Sequence, residues 1–224
     1  MTLVRTEGWL KFETQGEELT LLPQRAIYWE SKKTLLVADV HFGKAATFRA
    51  LNVAVPAGTT EKDLKTLSKM IGETGARKVI FLGDLVHNYR GLTDRVSSLL
   101  SAWREFHDDL EITLVRGNHD KKIPQIEQLL RLNIVAEPLI VPPFALKHHP
   151  EAEKEHYVLC GHTHPAVLLF GKARQKLRLP CFWFAKKVGT LPAFGSFTGC
   201  AVIEPEEGEH IFVIAENKVM EALG

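Results

Sequence analysis

TLLVADVH, residues 34–41, opens on an apolar run too short for a helix and closes on two metal-competent side chains, Asp39 and His41. The same design recurs along the chain. Apolar segments at 34–38, 78–82, 112–115, 144–147 and 157–160 have the length and continuity of strands covered on both faces. The first runs into Asp39, Val40 and His41, and the second into Gly83 and Asp84. The third leads to Gly117, Asn118, His119 and Asp120; the fourth meets His148 and His149; the fifth meets Gly161, His162, Thr163 and His164. In an α/β sheet, ligands bind in the crevice beyond the carboxyl ends of the strands. Gathering so many Asp, Asn and His side chains in a dry core would be costly, and a pair of cations would satisfy them together. Such nitrogen and oxygen donors suit Mn, Fe, Zn or Ni better than Ca or Mg. A lone Asp-x-His is usually a turn, and Gly-Asp alone says almost nothing. All five in order, each after an apolar strand, make a strong signal.

Two amphipathic helices read clearly between these strands. In 61–71, Leu64, Leu67 and Ile71 recur at helical spacing, with Thr60 able to cap the start and Gly72 or Gly75 the end. In 94–110, Val96, Leu99, Leu100, Trp103 and Phe106 form one apolar stripe behind Thr93 as the cap. After residue 156, alternating segments at 166–170, 175–184, 199–203 and 210–215 predict antiparallel strands. An α/β first half and a strand-rich second half predict two facing sheets with helices outside. With no linker, repeat or low-complexity tract, residues 1–224 read as one domain.

Composition narrows the class. The 224 residues are 45% hydrophobic and 25% charged, ordinary for a globular protein. The three cysteines, Cys160, Cys181 and Cys200, show no Cys-x-x-Cys spacing, against both a disulfide framework and a thiolate metal site. The start, MTLVRTEGWLKF, lacks a secretory apolar stretch, and no run is long enough for a membrane helix. A reducing, cytoplasmic location is the expectation. Net charge is +1 with pI near 7.8, so no global polycation marks a nucleic-acid binder, although a local patch would suffice. Lys172, Arg174, Lys176 and Arg178 alternate with Ala173, Gln175, Leu177 and Leu179, so a strand there carries all the cations on one face. That is either a track for a polyanion or an edge strand protected by charge.

The series Asp39-x-His41, Gly83-Asp84, Gly117-Asn118-His119-Asp120, His148 and Gly161-His162-x-His164 resembles the calcineurin-like metallophosphoesterases over about residues 35–165. ADVHFGK at 38–44, PAGTT at 56–60 and LPAFGSFTG at 191–199 are similar to the bacterial DNA-ligase-associated metallophosphoesterases, with Cys200 where a second glycine is expected. The resemblance implies a four-layer α/β fold, two facing mixed β-sheets flanked by α-helices. It implies two divalent metal ions, Mn2+ first, with Asp39, His41 and His164 on one, Asn118, His148 and His162 on the other, and Asp84 bridging. His148 is preferred to His149, since it stands two residues before Pro150 and alternation turns neighbouring side chains to opposite faces.

A hydroxide shared by two such metals would attack phosphorus in line. His119 would protonate the leaving alkoxide, with Asp120 orienting it or capping a helix before Pro124. His87 either contacts a phosphate, as in the nuclease branch, or is a surface turn residue; Lys44 and Arg49 would add positive charge near the site. The implied function is a phosphodiesterase or nuclease in DNA repair, and the implied partners are a DNA ligase or helicase. The alternatives are a phosphatase or phosphodiesterase for small nucleotides and a non-catalytic scaffold, the last disfavoured because every ligand position is filled.

Overall fold

The computed structural model describes residues 7–120, 125–170 and 176–222. Its first sheet has seven strands in sequential order: β1 (Leu10–Thr14), β2 (Glu17–Leu22), β3 (Ala26–Trp29), β4 (Thr34–Val37), β5 (Lys78–Leu82), β6 (Glu111–Val115) and β7 (Asn133–Val135). The first four pair antiparallel through tight turns. From β4 to β7 the pairing is parallel, as crossover connections require. Those connections carry α1 (Lys44–Ala50), α2 (Thr59–Thr74), α3 (Asp94–Phe106) and α4 (Gln125–Leu130).

The second sheet is mixed and has nine strands: β8 (Leu139–Val141), β9 (Phe144–Leu146), β10 (Tyr157–Cys160), β11 (Pro165–Phe170), β12 (Lys176–Phe184), β13 (Val188–Thr190), β14 (Ala201–Val202), β15 (His210–Ala215) and β16 (Lys218–Glu221). The two sheets meet through a shared core that includes Trp29, Leu36, Leu82, Phe144, Leu159, Phe182 and Phe212. On the other face of the first sheet, Leu35, Val37, Phe81 and Leu114 pack against Leu67 of α2, Leu100 of α3 and Ile126 of α4. Both faces of β4, β5 and β6 are thus covered, which is why these strands are apolar without alternation. The outer face of the second sheet carries small clusters around Val158 and Cys181, and no helix of the described residues joins them. The two-sheet α/β architecture agrees with expectation.

Some boundaries differ from the sequence reading. Helix α2 starts earlier, after Gly58 in the left-handed region (φ 87°), and ends at Gly75 (φ 67°). Thr60 lies inside the helix, where its hydroxyl accepts the Gly43 N–H across 3.3 Å. Helix α3 keeps Thr93 as its cap but stops at Phe106, which is 79% exposed rather than part of the apolar stripe. Asp108 and Asp109 follow at once, and negative charge opposes the negative pole of a helix C-terminus.

Candidate metal centre

The motif-bearing strands converge because they are neighbours. β4, β5 and β6 lie parallel and in register, so Asp39, Asp84 and the 117–120 turn all leave one edge of the first sheet. β9 and β10 are likewise parallel and deliver His148 and His162 from the facing sheet. Asp39, His41 and His164 bring ligand atoms within 4.8 Å of one another, as do Asp39, Asp84 and His148, and also His148, His149 and His162.

The local backbone is shaped for this convergence. Asp39, His41, Asp84, His162 and His164 have φ of 53°, 52°, 49°, 70° and 51°, in the left-handed region. Residues with side chains rarely enter it, and they persist there when surrounding structure over-determines them. The motif glycines answer to close approach. A Cβ on Gly161 would collide with the Asp39 carboxylate, and one on Gly117 with the Asp84 backbone and carboxylate.

Asp39 is fully buried. Its Oδ2 accepts the His162 N–H at 2.8 Å, while Oδ1 has no hydrogen-bond partner among the described residues. That Oδ1 lies 3.2 Å from His164 Nε2. His164 Nδ1 donates to the Gly199 carbonyl at 3.1 Å, which leaves Nε2 of the neutral ring as a lone pair. With the ring in the neutral form that ligates metal, two acceptors face one another. A second such contact stands close by. His148 Nδ1 donates to Leu82 O at 3.1 Å, so Nε2 of the neutral ring turns a lone pair toward Asp84 Oδ1 at 3.6 Å; the same Nε2 can accept a hydrogen bond from His162 Nδ1 at 3.0 Å. Burial first, then the Lys44 charge, pushes His41 down to about 2, so this imidazole is neutral, the form that ligates metal. Its Nε2 is 4.0 Å from Asp84 Oδ2, and its Nδ1 is buried without a partner among the described residues. Facing acceptors and orphaned ring nitrogens are unfavourable unless cations lie among them. The donor set fits divalent metals of the N/O-binding kind.

The other candidates fall around this core. His119 donates through Nδ1 to the His87 carbonyl at 2.8 Å, and its backbone N–H donates to Asp84 Oδ1 at 3.0 Å. Its Nε2 lies 3.7 Å from Asp84 Oδ2, on a side chain 42% exposed. Asp120 does not orient it. The Asp120 carboxylate accepts the backbone amides of Leu85, Val86 and Gly117 at 3.1, 3.4 and 3.0 Å. It ties the β5 and β6 loops together, and the His87 carbonyl holds the histidine instead. The His87 ring stacks on His119 (5.2 Å, 28°) and meets His41 edge-on (5.5 Å, 77°). Burial, followed by Lys44, lowers His87 to about 4. Lys44 opens α1 half-buried; desolvation lowers its pKa while Asp39 and Asp84 act against the shift.

His148 is fully buried between the two aspartates. Contrary to the alternation argument, His149 also faces inward, its ring 4.9 Å from that of His162. Both residues lie past the end of β9, where a strand period no longer applies. His149 Nε2 is 2.9 Å from Asn118 Oδ1, and its Nδ1 is 2.5 Å from Glu137 Oε1, whose other oxygen accepts the backbone amides of His148 and His149. Sequence reasoning missed Glu137, which reaches the site only through the β8–β9 hairpin; the paired histidines were the one local signal for His149. Of the alternating cations, Lys176 and Arg178 are exposed on β12, with Lys176 over the Phe170 ring at 5.6 Å. Lys172 and Arg174 lie outside the described residues.

Residues 32–146 match the family described as calcineurin-like phosphoesterase. Among solved structures, Pseudomonas putida nuclease MPE is 36% identical, aligned over 96% of this chain and 100% of that one, with a TM-score of 0.84. Yfce, a phosphoesterase from E. coli, is 15% identical over 84% of this chain and 97% of its own, with a TM-score of 0.44. No curated protein matches the sequence.

Proposed function

This chain belongs to the calcineurin-like phosphoesterase family and is a metal-dependent phosphoesterase, and we propose that it cuts the phosphodiester backbone of DNA. The observation that carries the metal chemistry is the pair of contacts in which a neutral imidazole turns its lone pair to a carboxylate oxygen, His164 Nε2 with Asp39 Oδ1 at 3.2 Å and His148 Nε2 with Asp84 Oδ1 at 3.6 Å, gathered at one sheet edge. Asp39, His41 and His164 would hold one cation, Asn118, His148 and His162 the other, with Asp84 between them. Bound there, such a pair supplies Lewis acidity toward phosphoryl oxygens and activates water for in-line attack, with Mn2+ the first candidate. Likeness to a nuclease over nearly the whole chain favours a polynucleotide over a small ester.

The chain's own side chains do the rest. His119, anchored by Nδ1–H to the His87 carbonyl, places Nε2 beside Asp84 on a partly exposed side chain and can hold the proton that the departing alkoxide needs. Glu137 fixes His149, and His149 fixes the Asn118 amide. Lys44 brings positive charge beside the two aspartates and would attract a phosphate. The core between the sheets draws residues from Leu19 to Val219, which supports reading residues 1–224 as one domain. Among the described residues no helix is long and apolar enough to cross a membrane, and the cysteines are free. A cytoplasmic role in DNA repair, in company with a ligase or helicase, is part of the same proposal and is supported by the resemblance of residues 38–44, 56–60 and 191–199 to the ligase-associated metallophosphoesterases.

The test is turnover by Mn2+-loaded protein of single- and double-stranded DNA, bis-p-nitrophenyl phosphate and p-nitrophenyl phosphate. DNA and the diester should be cleaved well ahead of the monoester. A preference for the monoester, with intact DNA, would overturn the reading in favour of a small-molecule phosphatase.

A further inference from the structure

Beside the metal centre lies a shelf whose aromatic lining the phosphoryl chemistry does not use. It is a cavity of about 400 Å³ bounded by Lys44 and Phe48 of α1 and by Ser196, Phe197, Thr198 and Gly199. That volume falls within the roughly 300–1,000 Å³ range of small-molecule sites. Two half-buried aromatic rings form its walls, Phe48 and Phe197, in edge-to-face contact at 5.7 Å and 86°. The Phe48 ring continues the stack inward, lying 6.1 Å from His87 at 28°, and His87 in turn lies on His119. At the opposite rim, the Gly199 carbonyl holds His164. The shelf therefore touches the centre at both ends.

Its floor is fixed in advance. The Phe194 N–H donates to Ala38 O at 2.9 Å and the Gly195 N–H to Asp39 O at 3.2 Å. The Ser196 N–H donates to Asp63 Oδ1 at 3.3 Å. A preformed aromatic wall beside a lysine, next to a phosphoryl site, suits a planar ring joined to a phosphate. Aromatic side chains bind nucleobases in this way without reading their sequence, because every base presents a π face.

We propose that this shelf is a base-stacking subsite, in which a nucleobase flanking the scissile phosphate lies against Phe197 and Phe48 while Lys44 attracts a neighbouring phosphate. The inference rests on the phosphodiesterase reading above and deepens it. The base could belong to a DNA strand or to a free nucleotide, since the stacking chemistry is the same.

The experiment compares Mn2+-loaded wild type, Phe197→Leu and Phe197→Tyr on a dT12 strand and on a strand of the same length built of tetrahydrofuran abasic units. Wild type should prefer dT12; Phe197→Leu should lose about tenfold of that preference, and Phe197→Tyr should keep it. Equal loss on both strands, or no preference in wild type, overturns the proposal. If no strand is cut, the nuclease reading fails, and the shelf is judged on thymidine 5′-(p-nitrophenyl phosphate) against methyl p-nitrophenyl phosphate. Selective loss on the thymidine ester then supports it and parallel loss overturns it. A measurement independent of the Phe197 variants uses 2-aminopurine in place of one thymine, bound to the slow His119→Ala protein. Quenched emission supports stacking, and emission unchanged on saturation overturns it.

Discussion

His119 has one ring nitrogen committed to the His87 carbonyl, so only Nε2 is left to meet substrate. A general acid matters most when the leaving group is a strong base. His119→Ala should therefore slow DNA cleavage by about 10²–10⁴-fold. It should slow bis-p-nitrophenyl phosphate far less, because p-nitrophenolate departs without a proton; equal losses on both would remove His119 from that role. Asp120, its chain neighbour, belongs to the scaffold. Asp120→Ala leaves three buried amides without their acceptor and should destabilise the protein by about 3 kcal/mol in urea denaturation. A loss under ~1 kcal/mol would mean that water replaces the carboxylate. The donor residues were legible in the sequence because each stands at the end of a recognisable apolar strand. The work of Asp120 was not, since adjacency to His119 suggested a contact that the 117–120 turn directs elsewhere.

At the scale of elements, the 191–199 segment matters most, because its backbone closes over Asp39 and its far end holds His164. Helix α2 supports it through Asp63, which is buried against Ser196. Burial raises the Asp63 carboxyl from 3.8 to about 6, partly offset by the Ser196 hydrogen bond. The folded pKa is above the unfolded one, so the contribution to stability is full at low pH and is lost as pH rises from about 4 through 6. Above that window the buried charge costs roughly 2–3 kcal/mol. Asp63→Asn keeps an oxygen for the Ser196 N–H. It should raise the melting temperature at pH 8 and give no gain below pH 4. A gain that does not vary with pH would refute the assignment. The strands that carry the motifs were visible as elements because a short apolar run is a local pattern, whereas β1, β2, β3, β7, β8, β13 and β16 were not read from the sequence. The earlier start of α2 was not, because a left-handed glycine rather than a side-chain cap begins it.

Across the molecule, the site joins two sheets whose edges carry acceptors facing acceptors, an arrangement that bound cations would relieve. Metal loading should therefore stabilise the whole fold. At a hundredfold excess over its dissociation constant, one cation adds about 2.7 kcal/mol, or roughly 5–10 °C for a domain of this size. Chelation followed by calorimetry should show a fall of that order, reversed by adding Mn2+; an unchanged transition would argue against a tight site. The sequence by itself determined which donors exist, their order and their places at strand ends, because strand period and motif spacing are short-range. Only the tertiary structure decided which of them meet. Asp39 binds the His162 amide across 123 residues, and Asp63 binds Ser196 across 133. Glu137 and His149 join the site through a hairpin, and Phe197 reaches Phe48 through the returning 191–199 segment. Such contacts follow from the packing of one sheet on the other, which no local run of residues encodes.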